Sequence, residues 1–202
     1  MMLYLHGFRS SPESFKARLL ADELQRLNRS NQWRCPQLPV SPAQALELAR
    51  GQAQDLAQSQ KAEPREITIV GSSLGGFYAI VLAEELGCRA VLINPAVHAP
   101  RALATQVGDH LTYHGGEPMT FAPAYVDELA TMSVPKITRP ERYLLLAATG
   151  DELLDYRDML AFLPAANHIV IPGSDHGLSD FAQYMPQVLH FAGMAEPNSE
   201  GH

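Results

Sequence analysis

Residues 67–86 read ITIVGSSLGGFYAIVLAEEL: an apolar, β-branched run, a pair of serines fenced by glycines, then a run of helix formers. Isoleucine, valine and threonine favour extended chain, whereas leucine, alanine and glutamate favour helix. The segment therefore turns from strand to helix within a few residues, the joint of a βαβ unit, and commits the chain to a sheet with helical crossovers. Glycine and serine populate turns of every kind. Gly71-Ser72-Ser73-Leu74-Gly75 also reads G-x-S-x-G, the pattern that lifts a serine hydroxyl onto the tip of a strained strand-to-helix turn. A chain of this composition offers about 0.06 such matches by chance. The motif therefore gains meaning only if other parts of the chain supply a base, an acid and donors for a developing negative charge.

Short apolar runs alternate with longer amphipathic stretches along the whole sequence. The spacing predicts strands at 3–6, 33–38, 67–71, 90–94, 143–148 and 168–171, and helices at 12–27, 42–59, 74–86, 152–163 and 179–191. Ser11-Pro12 and Ser41-Pro42 read as a cap followed by a first-turn proline, and Gly87 as a helix stop. The expected fold is α/β: a short central parallel sheet of about six strands with helices on both faces. Residues 1–193 form one domain in this reading, and the polar end, 194–202 (MAEPNSEGH), a flexible tail. One connection is abnormally long. Residues 96–140 lie between two strands where a crossover needs only about a dozen. This insert mixes Tyr113, Met119, Phe121 and Tyr125 with Gly115-Gly116, as a lid over a binding site would; an ordinary structural insertion of one or two helices fits as well.

The 202 residues carry a net charge of −7 and no lysine-arginine stripe, which argues against nucleic acid or an anionic membrane surface as partner. No apolar run reaches membrane-spanning length, and MMLYLHGF lacks the positive start and small-residue cleavage site of a secretion signal. Two cysteines, Cys35 and Cys88, are too few for a disulfide framework and lack metal-ligand spacing, so a reducing cytoplasm is the expected compartment.

In a parallel α/β sheet ligands bind beyond the carboxyl ends of the strands, so the residue after each strand is informative. Ser73 follows 67–71, Asp151 follows 143–148, His176 follows 168–171, and His6-Gly7-Phe8 follows the first strand. A serine hydroxyl is a weak nucleophile at neutral pH and needs a base within hydrogen-bond reach. His176 suits that role, with Asp151 holding its tautomer. The amides of Leu74 and Phe8 are the candidate donors to an oxyanion. Ser72 lies off the centre of the motif and points away from the cleft. Asp155 lies further from its strand end than Asp151 and belongs to the following helix. Asp175 adjoins His176 too closely to reach its far ring nitrogen. His6 is expected to tie down the Gly7-Phe8 loop. The other histidines, His98, His110, His114, His168, His190 and His202, lack a matching context, and none shows the spacing of paired metal ligands on a helix.

The segments YLHGFRSSPESFKA, VGSSLGGFYA, INPAV, TGDELLDYR and GSDH together resemble the small bacterial YqiA-like esterases, a branch of the α/β-hydrolase superfamily. The resemblance runs from residue 3 to about residue 191 and is weakest in the insert. It implies an α/β-hydrolase sheet and a cytoplasmic esterase with acyl-CoA thioesterase activity, with Ser73 as nucleophile and Asp151 and His176 as its partners. In one respect the chain departs from the superfamily: it begins on the HGF strand, with no residues for a leading antiparallel hairpin. The expected substrate is a small-molecule acyl ester or thioester, with no cofactor and no metal. A serine at the pivot argues against haloalkane or epoxide chemistry, which would want an aspartate there. The rival of a different class is a protein that kept the fold for binding and lost the chemistry.

Overall fold

The apolar runs become the centre of a sheet because they have two faces to bury. The computed structural model describes residues 1–195. In chain order its elements are β1 (Met2–Leu5), α1 (Phe15–Arg26), β2 (Trp33–Arg34), α2 (Pro42–Ser59), β3 (Thr68–Ser72), α3 (Leu74–Leu86) and β4 (Arg89–Ile93). There follow α4 (Ala99–Leu103), β5 (Gly108–Leu111), β6 (Pro118–Phe121), α5 (Ala124–Thr131), β7 (Tyr143–Ala148), α6 (Tyr156–Phe162), β8 (Asn167–Ile171) and α7 (Met185–Phe191). Six strands form one sheet in the order β2-β1-β3-β4-β7-β8, every pair parallel, while β5 and β6 make a separate antiparallel hairpin. Alternation divides the core. Leu3, Leu5, Ile69 and Leu92 face α2, α3 and α6, whereas Met2, Tyr4, Val70 and Val91 face α1 and α7. This is the α/β-hydrolase arrangement, with helices on both faces.

Chain direction reverses its spread at β1, which pairs with β2 on one side and β3 on the other. That is a topological switch point, and the loops after β1 and β3 meet there. The meeting is close. A methyl group added at Gly75 would lie 2.0 Å from the Leu5 carbonyl oxygen, and one at Gly71 would lie 2.2 Å from the Gly75 carbonyl oxygen. Both obstacles are backbone and cannot swing aside. Gly75→Ala should therefore lower stability by about 3 kcal/mol or push the protein into aggregates. A melting temperature unchanged from the parent would show that α3 does not need this contact with β1.

Several boundaries differ from expectation for local reasons. β2 has only two residues, because Pro36 and Pro39 remove ladder donors from the expected strand 33–38. Helix α1 starts at Phe15 rather than at residue 12: Ser11 to Ser14 close a turn first, with Ser14 N–H donating to Ser11 O and Glu13 N–H to Ser11 Oγ. Ser41 caps α2 through its hydroxyl, which accepts from Gln44 N–H, with Pro42 in the first turn. α6 begins at Tyr156, with Asp155 as its cap, and α7 follows a short 3₁₀ turn at Phe181–Gln183. The insert 96–140 contains α4, the β5–β6 hairpin and α5, and the hairpin was not expected. Both thiols are pushed up to about 12 by burial, so Cys35 and Cys88 remain protonated. In the stretch 194–202, Met194 is buried, and its sulfur accepts a hydrogen bond from the Met1 amino group; residues 196–202 lie outside those described. Among the described residues no helix is long and apolar enough to cross a membrane.

Candidate active site

Ser73 occupies φ 55°, ψ −119°, a left-handed backbone that a side-chain-bearing residue adopts only under constraint. The constraint is visible. Ser73 N–H donates to Ile93 O at 3.0 Å, and its carbonyl accepts from Gly76 N–H at 2.9 Å and Ala96 N–H at 3.0 Å. The strand-to-helix pivot is thus pinned to the end of β4 and to its own helix, which fixes the hydroxyl above the sheet.

His176 Nε2 lies 3.0 Å from Ser73 Oγ, and its Nδ1 lies 2.8 Å from Asp151 Oδ2. Asp151 is fully buried at its side chain, whereas His176 keeps 16% exposure. The other carboxylate oxygen, Oδ1, accepts from Leu153 N–H at 2.9 Å and Leu154 N–H at 2.8 Å. The carboxylate thus accepts three hydrogen bonds, two from backbone amides and one from the imidazole. With Asp151 Oδ2 accepting a hydrogen bond from Nδ1–H, Nε2 is left free to accept from the Ser73 hydroxyl. Asp155 sits elsewhere, capping α6 and paired at 2.7 Å with Arg157 on the surface. Asp175 accepts from Ser179 N–H through its carboxylate. Ser72, the last residue of β3, is buried, and its hydroxyl makes no hydrogen bond to His176 among the described residues.

The loop after β1 passes directly over the pivot: a methyl group added at Gly7 would lie 3.1 Å from Ser73 Cβ. His6 secures that loop. Its Nε2 accepts from Leu38 N–H at 3.0 Å, which leaves Nδ1–H to donate to Gly7 O at 3.0 Å. Burial holds the His6 imidazole below its ordinary range, consistent with this neutral form. Among the described residues the Phe8 and Leu74 amides, the first beside Gly7 and the second opening α3, donate to no protein acceptor. The Phe8 amide follows Gly7, which lies against Ser73, and the Leu74 amide directly follows Ser73 at the start of α3. The insert braces the same loop. Arg9 Nε donates to Leu111 O at 2.7 Å, Tyr113 N–H donates to Arg9 O at 2.8 Å, and the Phe8 ring meets Phe121 and His110 edge-on at 5.3 Å. The cleft above Ser73 has a volume of about 760 Å³; one wall comes from the insert (Val97, Ala102, Tyr113) and another from Leu153, Leu154 and Met159. Among the described residues no group of three histidine, cysteine or acidic side chains is arranged to hold a metal ion.

Asn94 carries no local sequence signature of a role. It follows β4, is fully buried, and adopts φ 42°. Its Nδ2 donates to Asp175 O at 3.1 Å and His176 O at 3.0 Å, while Oδ1 accepts from Ala148 N–H at 2.8 Å. One amide therefore ties the loop carrying His176 to the strand end that leads into Asp151. Asn94→Asp keeps the shape but turns a carboxylate toward two carbonyl oxygens. A loss of about 3–5 kcal/mol is expected, as for an uncompensated buried charge. A thermal melt within a degree or two of the parent would deny Asn94 this role.

The match to the profile of the Uncharacterised protein family UPF0227 spans residues 1–193. Among solved structures, a protein of Agrobacterium vitis S4 superposes with a TM-score of 0.68 at 19% identity, over 95% of this chain and 87% of that one. The α/β hydrolase domain-containing protein 10 from mouse gives 0.61 at 16% identity, over 94% and 89%. The esterase domain of a Rhodothermus marinus protein gives 0.61 at 22% identity, over 93% and 83%. At these identities the likeness is one of fold. The fold is that of the α/β hydrolases; the family match covers nearly the whole chain, and the chain belongs to family UPF0227, the YqiA family.

Proposed function

We propose that this protein is a serine esterase that hydrolyses carboxylic esters, and acyl thioesters by the same route, through an acyl-Ser73 intermediate. The observation that carries the reading is the continuous hydrogen-bonded line from Asp151 through His176 to Ser73 at the mouth of the cleft. The esterase domain from Rhodothermus marinus, similar in fold, is consistent with it.

The chemistry follows from the geometry. His176 Nε2 takes the Ser73 proton as Oγ bonds to the acyl carbon, and the carbonyl π electrons move onto oxygen. The resulting oxyanion faces the Phe8 and Leu74 amides, which no protein acceptor has claimed. Asp151 stabilises the imidazolium without taking its proton. When the carbonyl re-forms, the alcohol or thiol leaves with the proton from Nε2, and Ser73 keeps the acyl group. Water then enters, gives a proton to Nε2 and attacks the acyl carbon. Collapse of this second adduct returns the proton to Ser73 and releases the carboxylic acid. The insert 96–140 acts as the lid of this reaction, its residues setting the length of acyl chain accepted.

A panel of nitrophenyl and coenzyme A esters of graded acyl length tests the proposal. Turnover with a maximum at one chain length is the expected result. No turnover across the panel, with a correctly folded protein, would leave a hydrolase-fold protein that binds without reacting.

A further inference from the structure

Lys16, the second residue of α1, is nine-tenths buried, whereas the two other lysines of the chain, Lys61 and Lys136, are exposed. It lines the cleft above Ser73, and its Nζ donates to Gly177 O, one residue beyond His176. An ammonium has three donors. Among the described residues this is its one hydrogen bond, and no carboxylate lies within ion-pair distance. Asp175 is near enough to be felt, but its carboxylate is engaged with Ser179 N–H. Of the other charged groups of the cleft, Arg101 pairs with Asp158 and Asp155 with Arg157, while Glu152 accepts a hydrogen bond from the backbone N–H of His176. Burial pulls Lys16 down to about 8, so it still carries its proton at neutral pH. A desolvated cation without a counter-ion in the cleft that holds Ser73 is costly unless a ligand completes it.

We infer that the substrate carries an anionic group, a carboxylate or phosphate, which Lys16 binds within one small molecule's length of Ser73. This rests on the hydrolase reading and names the substrate class that the site accepts. The competing role for Lys16 is to hold the 175–178 loop through Gly177 O; its loss would then slow every substrate alike.

The test uses two ester pairs, each differing by one carboxylate. 4-Nitrophenyl butyrate against 4-nitrophenyl hemisuccinate puts the charge on the acyl half. Phenyl acetate against 4-acetoxybenzoate puts it on the leaving half. In at least one pair, Lys16→Met and Lys16→Gln should lower kcat/KM for the anionic member about tenfold or more beyond any loss on the neutral one. Lys16→Arg should keep the preference. The pair that responds shows which half carries the charge. If both variants lower both members of both pairs equally, Lys16 is a scaffold residue and the inference fails. A second readout needs no turnover: in a Ser73→Ala background, succinate or 4-hydroxybenzoate should raise the melting temperature, and adding Lys16→Gln should remove the shift. A parent that cleaves no ester yet shows this Lys16-dependent shift would refute the hydrolase reading and leave the anion site standing. Absence of the shift together with unchanged ester ratios would overturn the site itself.

Discussion

Replacing Ser73 by alanine should lower kcat for a short-chain nitrophenyl ester by about 10⁶ and leave the fold intact. The size of the loss follows from the role: without Oγ there is no nucleophile, and only the oxyanion donors and binding remain to accelerate attack by water. Stability should barely move. The substitution deletes one hydrogen bond, to His176, of about 1 kcal/mol, and the unusual backbone angle at residue 73 is held by Ile93, Gly76 and Ala96 whichever side chain is present. Ser72→Ala should cost far less, since that hydroxyl makes no bond to the imidazole. Parallel assays of the two variants on one ester decide the matter. A silent Ser72→Ala beside an active Ser73→Ala would mean that the pivot has been read one residue out of place.

Asp151→Asn should reduce kcat by about 10⁴. The asparagine carbonyl keeps the bonds from the Leu153 and Leu154 amides, so the loop holds its shape. Its NH₂ must then face His176 Nδ1 as a donor, which forces Nδ1 to accept and moves the ring proton to Nε2. An imidazole with Nε2–H cannot take the Ser73 proton. Asp155→Asn should be close to neutral, because it disturbs only an exposed ion pair with Arg157, and asparagine caps a helix nearly as well as aspartate. Reversed effects of the two substitutions in the same kinetic assay would assign the acid to Asp155.

What could be read in the sequence is what local chemistry dictates. Helices α2 and α3 and strand β7 begin and end where Ser41-Pro42, the elbow and Gly87, and the apolar run 143–148 place them. Ser73, Asp151 and His176, which the structure brings into hydrogen-bond contact, could be picked out because each lies at or just after the carboxyl end of a strand. The hairpin was hidden. β5 and β6 are four residues each and bury little beyond Phe121, so no alternation rises above the surrounding polar residues. Gly115 and Gly116, between β5 and β6, both take the positive φ that reverses the chain. Asn94 and Lys16 were invisible for a different reason. The partners of Asn94 lie 54 to 82 residues away and that of Lys16 161 residues away, and no local pattern announces a contact made only when strand ends meet.

The central claim is that Ser73 is an activated nucleophile. The measurement that meets it most directly is mass spectrometry of the peptide containing residues 72 and 73 after treatment with a fluorophosphonate, a reagent that needs an activated serine rather than a pocket. One phosphonyl group is expected, on Ser73, formed rapidly in the parent and at least a thousandfold more slowly in Asp151→Asn, following the loss of the correct tautomer. An unlabelled peptide from folded protein, or a label on Ser72, would contradict it.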